Sequence, residues 1–449
     1  MTINRPGPAL FAVALSGALL LPRAALAQGL GEATSAGDTA WVLTATALVL
    51  LMTLPGLALF YGGLVRAKNV LSVMAQCVAI AGLASVLWLF GGYSLAFSGK
   101  APLIGDLARF GLFSMSRNAV TGHIPETVFF GFQMAFAVIT PALIVGAFVE
   151  RIRFGAVMLF SGLWLIAVYA PVCHWVWGGG WLMERHVMDY AGGLVVHATA
   201  GVSALLVAWR IGPRETYPDA VAPPHNPGMT LIGAGLLWVG WYGFNGGSAL
   251  AANADAGAAL VATHLSASTA GLVWALLDWR RFGRISMIGL VTGAVAGLAT
   301  ATPASGFVGP AGGALLGAAG SLVCHAAVDW VRDTLRIDDS LDVFAVHGVG
   351  GILGTLLTAV LASPGLGGAG YAPGMDMARQ LGLQALAIGA VCVWSALATL
   401  ALILVVERVA GLRARDDQIE EGLDLTFHGE EAYPPPDEVR NALGTGPAV

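Results

Sequence analysis

Charge is what this chain has least of. Of 449 residues only 11% are charged, 22 basic against 27 acidic, for a formal net charge of −5. There is no basic run and no interleaving of basic with aromatic residues, so a nucleic-acid partner is not expected. Cysteine is equally scarce. Cys77, Cys173, Cys324 and Cys392 stand alone in apolar segments without a C-x-x-C pair, which argues against a disulfide frame or a zinc site and for small core residues. What remains is apolar: 57% hydrophobic residues, 61 glycines and a mean hydropathy of +0.75. That is the composition of an all-α integral membrane protein embedded in a lipid bilayer.

The first residues read as a targeting segment. Arg5 precedes an apolar run from Ala9 to Leu21, and Ala25-Leu26-Ala27 before Gln28 has the small-x-small form of a cleavage site, so 1–27 is expected to be a signal peptide. The alternative is an uncleaved extra helix. Apolar segments of spanning length then follow at about 39–65, 69–97, 124–148, 154–176, 190–210, 227–246, 256–277, 285–301, 308–331, 342–362 and 380–407, giving an expectation of eleven transmembrane helices over a domain of 28–410. Basic residues alternate between connectors: Arg66 and Lys68, Arg151 and Arg153, Arg210 and Arg214, Arg280, Arg281 and Arg284, then Arg332 and Arg336 fall in every second one. The positive-inside rule puts these inside, with the mature N-terminus outside and the C-terminus inside.

Two histidines lie deep in apolar, glycine-rich segments, His197 in Gly192-Gly193-Leu194-Val195-Val196-His197 and His347 in Val343-Phe344-Ala345-Val346-His347-Gly348. Ionisable groups at that depth are costly and mark functional sites by default. Their placement is patterned. Phe60-Tyr61-Gly62-Gly63 with Asn69, at the end of helix 1, echoes Phe244-Asn245-Gly246-Gly247 with Asn253, at the end of helix 6. An offset of five helices makes the halves a 5+5 inverted-topology repeat followed by a final peripheral helix, an architecture that binds solutes near the midplane. The histidines occupy the matching helices 5 and 10.

Taken together the motifs resemble a family. Pro55 to Gly63 with Lys68-Asn69-Val70-Leu71-Ser72, Val149-Glu150-Arg151-Ile152-Arg153-Phe154, His174 to Gly180, Asp189-Tyr190-Ala191-Gly192-Gly193, Gly240 to Ser248 and Asp342 to Gly348 are similar to the ammonium transporter (Amt/MEP/Rh) superfamily, most closely its bacterial Amt branch. The likeness runs in order from about residue 40 to 433, and so many co-linear motifs carry far more weight than one. Tyr242 is a mild departure, and the extension after Tyr433 is additional.

The resemblance implies roles, each with a plainer reading beside it. Trp177 and Ser248, with Phe132 and Phe136, match an external ammonium-recruitment site, although Trp177 alone reads as an interfacial belt residue and Ser248 as a packing residue. Phe136 and Phe244 match a stacked pair that closes the pore, where a membrane Phe is otherwise lipid-facing or core. Asp189 matches a carboxylate that orients backbone around the recruitment site, and it also suits a helix N-cap. His197 and His347 match paired pore histidines that line the path and relay protons. His174, His264 and His325 are assigned to packing or polar helix contacts. In the segment 411–449, Gly422, Asp424, His428, Gly429 and Tyr433 match a regulatory tail that receives PII-type signalling proteins, where the plainer reading is a disordered acidic tail. The family further implies a homotrimer in the bacterial inner membrane, with ammonium, ammonia and methylammonium as ligands, no metal or cofactor, and no enzymatic activity.

Energetics constrain the transport step. A bare cation in a dry, low-dielectric tube costs tens of kcal/mol by a Born estimate, against about 0.5–2 kcal/mol per aromatic ring. The expectation is therefore recruitment of ammonium outside, deprotonation near Asp189, and passage of ammonia along His197 and His347 with the proton relayed separately. Other classes remain: a haem or quinone enzyme with paired axial histidines, or an ammonium sensor acting through the tail.

Overall fold

The computed structural model describes residues 34–433, Thr216 excepted; the segment read as a signal peptide and the extension after Tyr433 lie outside the described residues. The chain is a bundle of helices: α1 Ala36–Leu64, α2 Ala67–Phe97, α3 Glu126–Ala147, α4 Phe154–Trp177, α5 Gly193–Ile211, α6 Pro227–Trp241 continued by Tyr242–Gly246, α7 Ala254–Phe282, α8 Met287–Ala301, α9 Pro310–Leu335, α10 Phe344–Leu361 and α11 Met377–Ala410. A short ribbon, β1 Val120–Thr121 and β2 Ile124–Pro125, precedes α3. Two short helices follow α11, α12 Asp416–Glu421 and α13 Leu423–His428.

Helix starts follow local chemistry. Asn226, Asn253, Ser286 and Asp376 each accept a backbone N–H from three residues on, opening α6, α7, α8 and α11. Nine helices are long and apolar enough to cross a membrane among the described residues. The eleven expected segments are all helical, but α6 is not one of the nine, and α8 has only 15 residues, about 22 Å at 1.5 Å per residue against roughly 30 Å of hydrocarbon. The run of small residues from Gly293 to Ala301 is buried throughout. Such a helix ends inside the protein, where Thr302 and Pro303 carry the chain into a turn.

Several helices contain a π-helical turn, a feature that recurs at functional sites: Met52–Leu57 in α1, Trp88–Gly92 in α2, Leu165–Tyr169 in α4, Gly193–Ala198 in α5, Tyr242–Gly246 in α6, Trp330–Leu335 in α9 and Phe344–Val349 in α10. Pro55 accounts for the one in α1, because proline removes a ladder N–H. The α11 helix is peripheral. Its buried positions Gln380, Gln384, Ala387, Val391, Ser395, Thr399, Ile403 and Val406 form one stripe, fixed to the bundle where the Gln384 amide donates to the Met188 carbonyl at 2.7 Å and Ser203 meets Thr399 at 2.8 Å.

The helices that carry the two histidines cross at glycine. A Cβ on Gly201 of α5 would collide with the backbone N and Cα of Gly348 in α10, and one on Gly351 would sit 2.7 Å from the Cβ of His197. Gly201→Val is therefore expected to separate α5 from α10 and to cost about 1–3 kcal/mol or more, read as a lowered Tm of the purified protein. Gly235→Val, whose Cβ would meet open space, should leave Tm nearly unchanged.

Candidate functional site

Asp189 lies in the loop four residues before α5, and its carboxylate is consumed by backbone. Oδ1 accepts the N–H groups of Gly192 and Gly193 at 2.9 and 2.6 Å, and Oδ2 those of Leu194 and Val195 at 2.8 and 3.2 Å. These are the N–H groups that a helix starting inside a protein leaves without partners. Burial pushes the Asp189 carboxyl up, and the four N–H groups pull it back. Gly192 makes the turn at a left-handed φ of 116°, where a Cβ would be strained. The indole N–H of Trp177 donates to the Asp189 carbonyl at 2.8 Å, tying the end of α4 to the start of α5.

Aromatic rings continue inward from Trp177. Its ring meets Phe136 edge-on at 5.8 Å, Phe132 meets Phe136 at 5.0 Å, and Phe136 lies 4.4 Å from Phe244. Phe132, Phe136 and Phe244 are each 1% exposed, so they are part of the protein interior and do not face lipid. Ser248 stands one turn beyond Phe244 and donates its hydroxyl to the Phe244 carbonyl at 2.8 Å, which leaves its lone pairs free to accept.

Below the rings lie the histidines. Nδ1 of His347 is 3.2 Å from Nδ1 of His197, with the rings nearly parallel at 16°. Trp241 and Phe244 stack on His197 at 5.5 and 6.0 Å. The lumen beside them, walled by Leu143, Trp241, Phe244 and both histidines, has a volume of about 10 Å³, close to the ~10–15 Å³ that accommodates one water-sized molecule.

Thr302, at the broken end of α8, fixes the tautomers. Its hydroxyl donates to Leu298 O at 2.8 Å and accepts the Trp241 indole N–H at 2.9 Å. Its remaining lone pair faces Nε2 of His197 at 3.3 Å, so Nε2 carries the proton and Nδ1 of His197 is the acceptor. The Nδ1–H of His347 then donates to it, and Nε2 of His347 keeps a free lone pair.

On the tail side the site ends in a polar network. Glu150, at a left-handed φ of 70°, accepts from the Arg66 backbone N–H at 2.7 Å, from Arg66 Nε at 3.1 Å and from the Asn69 amide at 3.2 Å, with Arg214 at 3.6 Å. Burial raises the Glu150 carboxyl, but Arg66, Arg214 and Asn69 together hold it below the usual range. The fully buried Arg151 guanidinium donates to Gly212 O, Val149 O, Ala147 O, Asp338 O and Ser340 Oγ. The tail locks onto this network. Asp424 accepts the Leu71 and Ser72 N–H groups at 3.0 and 2.7 Å, capping α2, and the Asn69 side chain accepts the Leu423 N–H at 2.9 Å. Gly422 has φ 117° with its Cα against Lys68, His428 packs edge-on to Phe154 at 5.2 Å, and the Tyr433 hydroxyl lies 3.2 Å from His225. The segment through Tyr433 is thus ordered against the bundle, contrary to the plain reading of a disordered tail. Gly429 closes α13 at a left-handed φ of 67°.

Sequence reasoning missed Thr302 and Asp339, and read Asp342 only as the opening of a motif. Asp339 stands eight residues before His347 as Asp189 does before His197, and it accepts the Phe344 N–H at 2.7 Å; the shared spacing was the readable signal. Of the other membrane histidines, His174 spans the Ala96 and Ala101 carbonyls at 2.9 and 2.7 Å, Nδ1 of His264 meets the Tyr242 hydroxyl at 2.8 Å, and His325 lies 3.5 Å from Asp278. All three serve helix contacts, and Tyr242 finds its partner in one of them.

A multi-helix bundle with a lumen for one small molecule, lined by aromatics and two bonded histidines, is the fold of a membrane transporter. A model of the Ammonium Transporter Family matches residues 40–433. The chain is 43% identical to a putative ammonium transporter of Methanothermobacter thermautotrophicus over 406 residues, 89% of this chain and 98% of that one. Among solved structures, Candida albicans Mep2 superposes with a TM-score of 0.80 at 36% identity, covering 87% of this chain and 89% of that one. A structure described as a Sensor Amt Protein also superposes with a TM-score of 0.80, at 30% identity and 87% and 98% coverage. The chain belongs to the ammonium transporter family.

Two outcomes follow from these contacts. Thr302→Val leaves the Trp241 and His197 N–H groups without an acceptor, about 1–3 kcal/mol for each orphaned donor, and should lower both Tm and transport rate. Asp424→Ala uncaps α2, about 0.5–2 kcal/mol; hydrogen exchange should rise at Leu71, Ser72 and residues 416–428 while the rest of the bundle keeps its protection.

Proposed function

We propose that this chain moves ammonium nitrogen across the bilayer as ammonia, with the proton relayed separately. The observation that carries the reading is the His197–His347 hydrogen bond, set in a lumen sized for one molecule and roofed by Phe136 and Phe244. Ammonium is recruited outside by the faces of Trp177 and Phe132 and by the lone pairs of Ser248, and the Phe136–Phe244 pair is the gate. Rings at about 0.5–2 kcal/mol each hold and orient the ion. They do not offset the tens of kcal/mol that a bare cation would cost further in. The ion therefore gives up its proton at the gate. Asp189, engaged by four N–H groups, supplies negative potential and shape and does not take the ion itself. Ammonia passes the histidines, which offer both a donor and an acceptor edge, while the proton follows the imidazole pair.

The architecture we propose for this task is eleven spans in the inner membrane of a bacterium, with the N-terminus outside after loss of residues 1–27 and the tail inside, three copies per assembly and one pore in each. π-helical turns in three of the matching helix pairs (α1 with α6, α4 with α9, α5 with α10) support the inverted repeat, as does the shared Asp–His spacing, although the turn in α2 has no counterpart in α7. The tail at Gly422, Asp424, His428, Gly429 and Tyr433 is the docking surface for a PII-type protein. A sensor that transports little is the second reading, favoured by the likeness to a Sensor Amt Protein.

Methylammonium uptake into cells lacking their own carriers separates the two. Transport predicts uptake that Asp189→Ala abolishes and Trp177→Leu weakens, whereas no wild-type uptake and no effect at Asp189 would leave the sensor. In proteoliposomes, an ammonium-evoked current should vanish when His197 and His347 are both made apolar; a current that persists removes the relay.

A further inference from the structure

Recruitment by Ser248 depends on where its lone pairs point, and Ser248 does not stand in a helix. It opens the link 248–253 between α6 and α7, a stretch of turns and bends. Leu250 within it is left-handed at φ 53°, a backbone state that persists in a residue with a side chain only where its surroundings over-determine it. Those surroundings come from α1, at the other end of the sequence. Asp38 Oδ1 accepts the Ala252 N–H at 2.7 Å, and the Trp41 indole N–H donates to the Gly246 carbonyl at 3.1 Å. Ala45 packs on Gly247, where an added Cβ would stand 2.5 Å from the Ala45 Cβ and 2.8 Å from the Phe132 ring.

Spacings of three and four put Asp38, Trp41 and Ala45 on one face of α1. Further along, the same face forms a close crossing with α6. A Cβ added to Gly243 would lie 2.6 Å from the Leu48 Cβ, and one on Gly240 would overlap the Met52 side chain. Small residues at a crossing let membrane helices approach, and here they bring α1 near enough for two side chains to bracket Ser248, one before it and one after. The bond to Gly246 carries weight because carbonyls at a helix end are short of partners. Besides Trp41, Gly246 O meets only the Ala249 N–H, at 3.4 Å. Phe244 stands two residues back in the same π-helical turn, and its carbonyl takes the Ser248 hydroxyl at 2.8 Å. A pull on Gly246 therefore moves the gate ring and the hydroxyl together. The tail side uses a similar device, since Asp424 holds the Leu71 and Ser72 N–H groups beside Asn69, the counterpart of Asn253 in the repeated motif.

We propose that Trp41 and Asp38 are positioning residues for ammonium recruitment, holding the Ser248 hydroxyl and the Phe244 ring in place without touching the ion. This rests on the recruitment reading above. Two other roles for the same residues give different results. An Asp38 that drew ammonium by its charge would act whether or not its bond to Ala252 survived, and would need a carboxylate. A clamp that served stability alone would change the amount of folded protein and leave affinity as it was.

The test uses the full chain in cells lacking their own carriers, with methylammonium uptake resolved into KM and maximal rate and normalised to protein in the membrane. Trp41→Phe keeps a ring and removes the donor. Its KM should rise roughly three- to ten-fold, the range of one lost hydrogen bond, with little change in maximal rate per molecule. Asp38→Ala should do the same, whereas Asp38→Asn should return the wild-type KM, because the amide oxygen still accepts the Ala252 N–H. In a Ser248→Ala background Trp41→Phe should add little, since residues that act through one another are not additive. An Asp38→Asn as impaired as Asp38→Ala makes the charge responsible and overturns the positioning role. Full additivity of Trp41→Phe with Ser248→Ala overturns it too, as does a wild-type KM in both Trp41→Phe and Asp38→Ala. A Ser248→Ala KM equal to that of the wild type overturns the recruitment reading itself, and the clamp's role with it.

Discussion

The contact between His197 and His347 depends on what two helices lack. Imidazoles on separate membrane helices meet at 3.2 Å only if the backbones that carry them come closer than a side chain would allow. Gly201 against Gly348, and Gly351 against His197, provide that closeness. In a bilayer, where apolar surface gains little by leaving lipid, small residues at crossings are what let helices pack tightly. The aromatic stack on His197, the bond to Thr302 and the size of the lumen all take their positions from this crossing.

A second constraint follows from the first. Helices that begin beside the lumen expose N–H groups that water cannot reach. Asp189 satisfies four of these at the start of α5, and Asp339 takes up the start of α10. Both carboxylates thereby stabilise the helix ends that orient the histidines.

The tail belongs to the same mechanical unit. Asp424 caps α2, Asn69 joins Leu423 to Glu150, and Glu150 reaches Arg214, which lines the inner cavity. A continuous chain of polar contacts therefore runs from the last helix among the described residues to the inner cavity. The left-handed backbones at Glu150 and Asp342 lie on this route, where surrounding contacts compensate for local strain.

Much of this was legible in the residues. Composition and apolar runs gave the membrane class and the helix positions, because the hydrocarbon core imposes length and polarity on any segment that crosses it. Co-linear motifs gave the family and pointed to Phe136, Trp177, Asp189, His197, Phe244 and His347, since rare polar or ordered aromatic residues in apolar sequence survive simple pattern reading. Thr302 was not legible. A threonine in an alanine-rich helix is common, and its importance arises only where Trp241, Leu298 and His197 converge on one hydroxyl. The sequence by itself thus determined the class, the helix positions and the family, through local hydrophobicity and motif. Tertiary structure alone decided the tautomers and the ordered tail, because each is set by the packing of residues far apart in the chain.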